Sequence, residues 1–95
     1  MSAFDKIKAG LVDAIAFAEG DTTRGVAHIP AEINVRAIRK ARGMSQTEFA
    51  ASYGFGLPRL KDWEQGRSRP DSVARAYLLV IQREHAAVEK ALRVA

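Results

Sequence analysis

The sequence predicts an all-α fold, and two observations carry that expectation. Apolar residues recur at three- and four-residue spacing through residues 2–19 and again from Val73 to Ile81, the period that puts them on one face of a helix. Between these stretches, from Asn34 to Gly66, residues suited to capping helix N-termini alternate with glycines suited to ending helices.

Residues 2–19 read as an amphipathic helix with Phe4, Ile7, Leu11, Ala14, Ile15 and Ala18 on its stripe. Ser2 followed by Asp5 resembles a capping box with Asp in place of Glu, and Gly20 is a natural stop. Val12 and Phe17 lie off the stripe and widen the apolar surface. In residues 20–33 two glycines, two threonines, Asp21 and Pro30 mark a linker. Within it Val26 to Ile29 can form a short extended segment, and Pro30 biases Ile29 the same way.

From Asn34 onward the punctuation is dense. Asn34 caps a helix running to Arg42, which Gly43 ends. Ser45 with Glu48 forms a capping box that opens a second helix, ending at Tyr53 and Gly54. The turn Gly54-Phe55-Gly56 leads to a helix over Leu57 to Gln65, stopped by Gly66. Pro58 is acceptable there because first-turn N–H groups have no intrahelical partner. Residues 67–70 are a basic loop. Asp71 or Ser72 then starts a helix through about Gln82, with Val73, Ala76, Tyr77, Val80 and Ile81 on one face. Residues 85–93 form a short final helix. The expected architecture is a bundle of four to five short helices over residues 34–95, preceded by an amphipathic helix and linker over residues 1–33.

Ninety-five residues make one domain with a modest core, burying about 60–65% of the surface of the unfolded chain. The absence of cysteine excludes disulfides and thiolate zinc sites. The N-terminus lacks a basic region followed by a long apolar run, and no stretch approaches the roughly 18 apolar residues of a membrane span. A soluble, cytoplasmic protein without membrane contact is the expectation. The net charge of +4 is unevenly spread. Residues 1–33 carry three Lys/Arg against five Asp/Glu, a net −2, whereas residues 34–95 carry twelve against six, a net +6. A basic segment suits a polyanion, because phosphate contacts release condensed counterions. Charge alone leaves that reading level with a solvated basic surface. The acidic N-terminal third is better placed to meet a protein than DNA.

The stretch Ser45–Gln65 has the layout of a helix-turn-helix: a short helix, a tight glycine-containing turn and a second helix. Ala50 is small where the helices cross, Phe49, Leu60 and Trp63 belong in the core, and Arg59, Lys61 and Asp62 face outward. Such a helix can lie in a major groove; an ordinary helical hairpin has the same spacing. The residues Ile38-Arg39-Lys40-Ala41-Arg42-Gly43-Met44-Ser45-Gln46, then Glu48-Phe49-Ala50, Gly54, Trp63-Glu64-Gln65-Gly66 and Pro70 resemble the XRE family of lambda-repressor-like domains over about residues 34–82. The resemblance implies a phosphate contact for Gln46 and a structural ion pair between Arg39 and Glu64. It places the base-reading positions on Leu57, Pro58, Arg59, Lys61 and Asp62. Leu57 and Pro58 can only touch a thymine methyl, Arg59 suits guanine, and Asp62 accepts from a cytosine amine or orients Arg59 or Lys61. Arg36, Lys40, Arg67 and Arg69 suit phosphates, each equally at home as a solvated charge.

A helix and linker ahead of such a domain, with Arg59 to Gly66, Pro70 and Ala76 to Ile81, is similar to HigA/MqsA-like antitoxins of type II toxin–antitoxin systems. That resemblance implies a protein that binds a small basic RelE/HigB-like ribonuclease toxin and represses its own operon as a homodimer on double-stranded operator DNA. The zinc domain of the MqsA type is absent, since there is no cysteine. Phe4, Ile7, Leu11 and Ile15 are the candidate toxin contacts; the alternative is that their helix packs on the domain's own core. Tyr77, Leu78, Leu79, Val88 and Leu92 exceed what one small bundle needs and are candidates for a twofold interface; the alternative is core filling by Tyr77 and Ile81, expected of at least one of them. A stand-alone repressor or protein-binding adaptor of the same fold is the competing reading. His28 and His85 are the only histidines and have no nucleophile motif nearby, so no enzyme, metal or cofactor is expected.

Overall fold

The computed structural model describes Ile7 and residues 28–93. The expected N-terminal helix, with Phe4, Leu11 and Ile15, therefore lies outside the described residues except for Ile7. The described chain is helical, with no strand: α1 spans Val35–Ala41, α2 Gln46–Tyr53, α3 Leu57–Gln65 and α4 Ser72–Leu92. Residues 28–34 run into α1 without regular structure.

Each helix starts where a side chain satisfies its orphan N–H groups, or where a proline removes one. Asn34 Oδ1 accepts from the Ala37 N–H at 2.9 Å. At α2 the box is reciprocal: Ser45 Oγ accepts from the Glu48 N–H at 3.1 Å, and Glu48 Oε1 from the Ser45 N–H at 3.2 Å. Asp71 Oδ1 accepts from the Ala74 N–H at 2.8 Å. At α3 the cap is Gly56, without a side-chain bond, and Pro58 sits in the first turn. Gly54 and Gly66 close α2 and α3 in the left-handed region, at φ 79° and 76°.

The core is built from all four helices. Val35 and Ile38 of α1, Phe49, Ala50 and Tyr53 of α2, Leu60 of α3, and Tyr77, Leu78, Ile81 and Val88 of α4 are buried together. Phe55, in the turn between α2 and α3, is the hub of an aromatic cluster. Its ring lies 5.7 Å from Phe49, nearly parallel, 5.5 Å from Trp63, edge-on, and 5.3 Å from Tyr77. Trp63, expected inside, is instead half-buried at the rim of this cluster. Tyr77 Oη donates to the Tyr53 carbonyl at 2.7 Å, and burial pushes its phenol well above the ordinary tyrosine range.

The two helices expected after Pro70 lie within Ser72–Leu92, joined across a kink where Glu84 leaves helical backbone (φ −136°, ψ 43°), between the segment expected to end at about Gln82 and the one expected from residue 85. One expectation for the C-terminal part needs correction. Among the candidate dimer residues, Tyr77, Leu78 and Val88 are buried in this chain's own core. They pack there with the large side chains of the other helices, Phe49, Tyr53 and Leu60. Leu92 is half-buried against the same core and Leu79 is partly exposed. Ile7 is also half-buried against this cluster.

The left-handed stop of α3 yields a stability prediction. A Cβ at Gly66 would meet nothing within 4 Å, so only backbone strain opposes a side chain there. Gly66→Ala is expected to cost about 1–2 kcal/mol in urea unfolding, and an unchanged midpoint would show that the turn does not need that conformation.

Candidate nucleic-acid interface

The inner face of α3 anchors it and the outer face is left free. Leu60 is fully buried and Leu57 and Trp63 pack partly against the core, all at helical spacing. Pro58, Arg59 and Lys61 are exposed, and Asp62 is intermediate. Of the expected base-reading positions, Leu57 is thus turned partly into the domain, while the other four stand on the outer side. Arg59 and Lys61 make no ion pair among the described residues. The uncapped first turn of α3 leaves N–H groups for solvent or an oxyanion.

A single carboxylate fixes the direction of that helix. Glu64, with no exposed side-chain surface, accepts from Arg39 through two bonds of 2.8 Å, Nε to Oε2 and Nη2 to Oε1. Arg39 Nη1 also donates to the Met44 carbonyl at 3.0 Å. Arg36 Nε lies 3.3 Å from Glu64 Oε1, and its Nη2 donates to the Glu64 carbonyl at 3.4 Å. Gln46 Nε2 donates to Oε1 at 3.4 Å. Residues of α1 and the first residue of α2 thus converge on the last turn of α3. The hydrogen bond from Arg39 holds the Glu64 carboxyl below its ordinary range, against the opposing effect of burial, with Gln46 and Arg36 assisting. The same bond raises the Arg39 guanidinium.

The residues expected on phosphates fall into three groups. Arg36 and Gln46 belong to the Glu64 cluster while remaining at least partly exposed. Arg67 is 3.5 Å from Asp62, and Arg69 is 3.8 Å from Glu32. Lys40 is exposed and makes no ion pair among the described residues. The start of α3 and the 67–70 loop border a shallow concavity of about 550 Å³ lined by Pro58, Arg59, Asp62, Trp63, Ser68 and Arg69. Among the described residues no group of three or more His, Asp or Glu is placed to hold a metal, and no helix is long and apolar enough to cross a membrane.

Residues 35–72, the span from α1 to the start of α4, match the family described as Helix-turn-helix. A crystal structure of an XRE-family-like helix-turn-helix protein from Agrobacterium tumefaciens is 47% identical and superposes with a TM-score of 0.62. The match covers 63% of this chain and 97% of that one. The chain belongs to the XRE family. This XRE protein therefore carries the helix-turn-helix of DNA-binding regulators, with α2 and α3 as its two helices. No curated protein matches it.

Three side-chain arrangements around the XRE domain were not read from the sequence. Arg42 donates to Tyr53 Oη at 3.1 Å and to Glu89 at 3.2 and 3.3 Å, joining the end of α1 to the end of α4. Arg75 bonds the Pro30 and Pro70 carbonyls at 2.8 and 2.9 Å. Phe55 occupies the centre of the aromatic cluster. Each joins residues distant in sequence, and no short-range pattern marks such pairs.

The cluster sets two expectations. Arg39→Ala strands a buried carboxylate that keeps only Arg36 and Gln46, and is expected to destabilise the domain by about 3 kcal/mol in chemical denaturation; a loss below 1 kcal/mol would show that Arg36 and Gln46 suffice. Because folding lowers the Glu64 carboxyl, its contribution is complete above the unfolded carboxylate range of about 4.3 and fades as pH falls through the lower folded value. The stability gap between wild type and Glu64→Gln should therefore be widest near neutral pH and shrink in acid. A gap independent of pH would contradict the arrangement.

Proposed function

We propose that this XRE-family protein is an operator-binding repressor that lays α3 in the major groove and reads bases chiefly through Arg59. The observation that carries this reading is the exposed Arg59 and Lys61, without an ion pair among the described residues, on a helix whose opposite face is locked into the domain by Leu60 and Glu64. The planar guanidinium of Arg59 matches guanine O6 and N7. Lys61 reaches an adjacent base or phosphate, Pro58 offers an apolar contact to a thymine methyl, and Asp62 orients Arg67 or accepts from a cytosine amine. Lys40, Arg36, Arg67, Arg69 and Gln46 supply phosphate contacts that set register. The protein acts as a homodimer on a twofold site, the usual arrangement for a helix-turn-helix.

The division of charge favours a second reading. Residues 1–33 carry a net −2 against +6 for the remainder, which suits an arm that docks on a basic ribonuclease toxin and makes this protein the antitoxin of its own operon. Phe4, Ile7, Leu11 and Ile15 would supply the apolar contacts. The half-burial of Ile7 against the core cluster weighs toward the stand-alone repressor, in which that residue serves the fold.

Arg59→Ala is expected to weaken binding to the operator, selected from random duplexes, about 10- to 100-fold while leaving non-specific binding within a few-fold. Equal losses on both would remove Arg59 as a base reader. Co-expression of the tagged protein with its neighbouring open reading frame separates the two roles. Recovery of a small basic partner whose growth arrest is relieved supports the antitoxin; promoter binding without a partner supports the simple repressor.

A further inference from the structure

The segment that enters α1 and the loop that leaves α3 are stapled together by one side chain. Arg75, near the start of α4, donates Nε to the Pro30 carbonyl at 2.8 Å and Nη1 to the Pro70 carbonyl at 2.9 Å. The two segments meet again through charge, where Glu32 Oε1 lies 3.8 Å from Arg69 Nη1. Ile33, the next residue, is half-buried against the core. Glu32 is therefore held on both sides, by Pro30 on Arg75 and by Ile33 on the core. Its carboxylate stands beside one of the two arginines that the 67–70 loop presents.

We infer that Glu32 is an electrostatic brake on DNA binding, competing with backbone phosphate for Arg69. The inference rests on the DNA-binding reading above and assigns a role within it to a residue outside the helix-turn-helix. A guanidinium takes carboxylate and phosphate with the same donor fork, so a phosphate reaching Arg69 must displace Glu32 or share its partner. A phosphate that shares it sits within the Debye length of about 8 Å of a second negative charge. Both side chains are mostly exposed, at 85% for Arg69 and 80% for Glu32, so the pair is weak and phosphate can break it. The brake lowers affinity without abolishing it. Part of the acidic N-terminal third thereby joins the DNA-facing surface.

The test uses the full chain and a random-sequence duplex, with binding followed by fluorescence anisotropy across a salt series. Glu32→Gln is expected to bind about two- to fivefold tighter at low salt, the range an exposed ion pair allows. Its plot of log affinity against log salt should steepen by about 0.9, one additional phosphate contact. Glu84→Gln removes the same charge from an exposed position on α4 and controls for net charge. The gain should exceed that of Glu84→Gln and vanish in an Arg69→Gln background. A gain no larger than the control's, or one that persists without Arg69, overturns the brake while leaving DNA binding intact. Failure of the wild-type protein to bind any duplex overturns the DNA-binding reading itself.

Discussion

The architecture depends on one desolvated carboxylate. Taking a carboxylate out of water costs several kcal/mol unless charge and hydrogen bonds replace the lost hydration. Glu64 meets that requirement only when α1, α2 and α3 are all in place, because Arg36 and Arg39 come from the first and Gln46 from the second. The hydrophobic core would tolerate small rotations of α3 about Leu60. The two-pronged contact from Arg39 would not, since a guanidinium fork and a carboxylate must share a plane. The orientation of the outer face of α3 therefore follows from a polar contact at its opposite end. Arg36 and Gln46 also link the two functions of the domain, as they touch Glu64 and border the face on which phosphates are expected.

The local features of the fold were legible in the sequence and the long-range ones were not. Asn34, Ser45 with Glu48, Asp71, Gly54 and Gly66 could be assigned because a cap acts over three or four residues and demands a particular side chain or φ angle. The Arg39–Glu64 pair was legible only through family resemblance, since nothing in a spacing of 25 residues marks two charges as partners. Trp63 and Phe55 exchanged importance for a related reason. Size argues for burying the tryptophan, but position in the α2–α3 turn points the phenylalanine at Phe49 and Tyr77. The apolar surplus assigned to a dimer interface was misjudged because periodicity identifies an apolar face without saying what covers it. In this bundle α4 packs on α1 and α2, so Tyr77, Leu78 and Val88 are consumed internally.

Charge shows the same contrast between composition and arrangement. Summed along the chain, residues 34–95 are strongly basic. In space, Arg36, Arg39, Arg42, Arg67 and Arg69 each have a carboxylate within 4 Å, whereas Lys40, Arg59 and Lys61 have none among the described residues. The helix that would meet base edges thus presents two cations outside the ion pairs, while the flanking arginines Arg36, Arg67 and Arg69 are partly neutralised until a stronger anion arrives.

The break at Glu84 gives the C-terminal end a separate character. Residues before it include Leu78 and Ile81, which have no exposed surface, so their amides open only when the domain unfolds. Residues beyond it are held by Val88, by Leu92 and by the Arg42–Glu89 pair, and the interrupted backbone spares the preceding turns when they detach. Residues 85–92 are expected to open as a unit of their own, at a lower free energy than the rest of α4. Hydrogen exchange would divide this one helix into a slow half and a fast half.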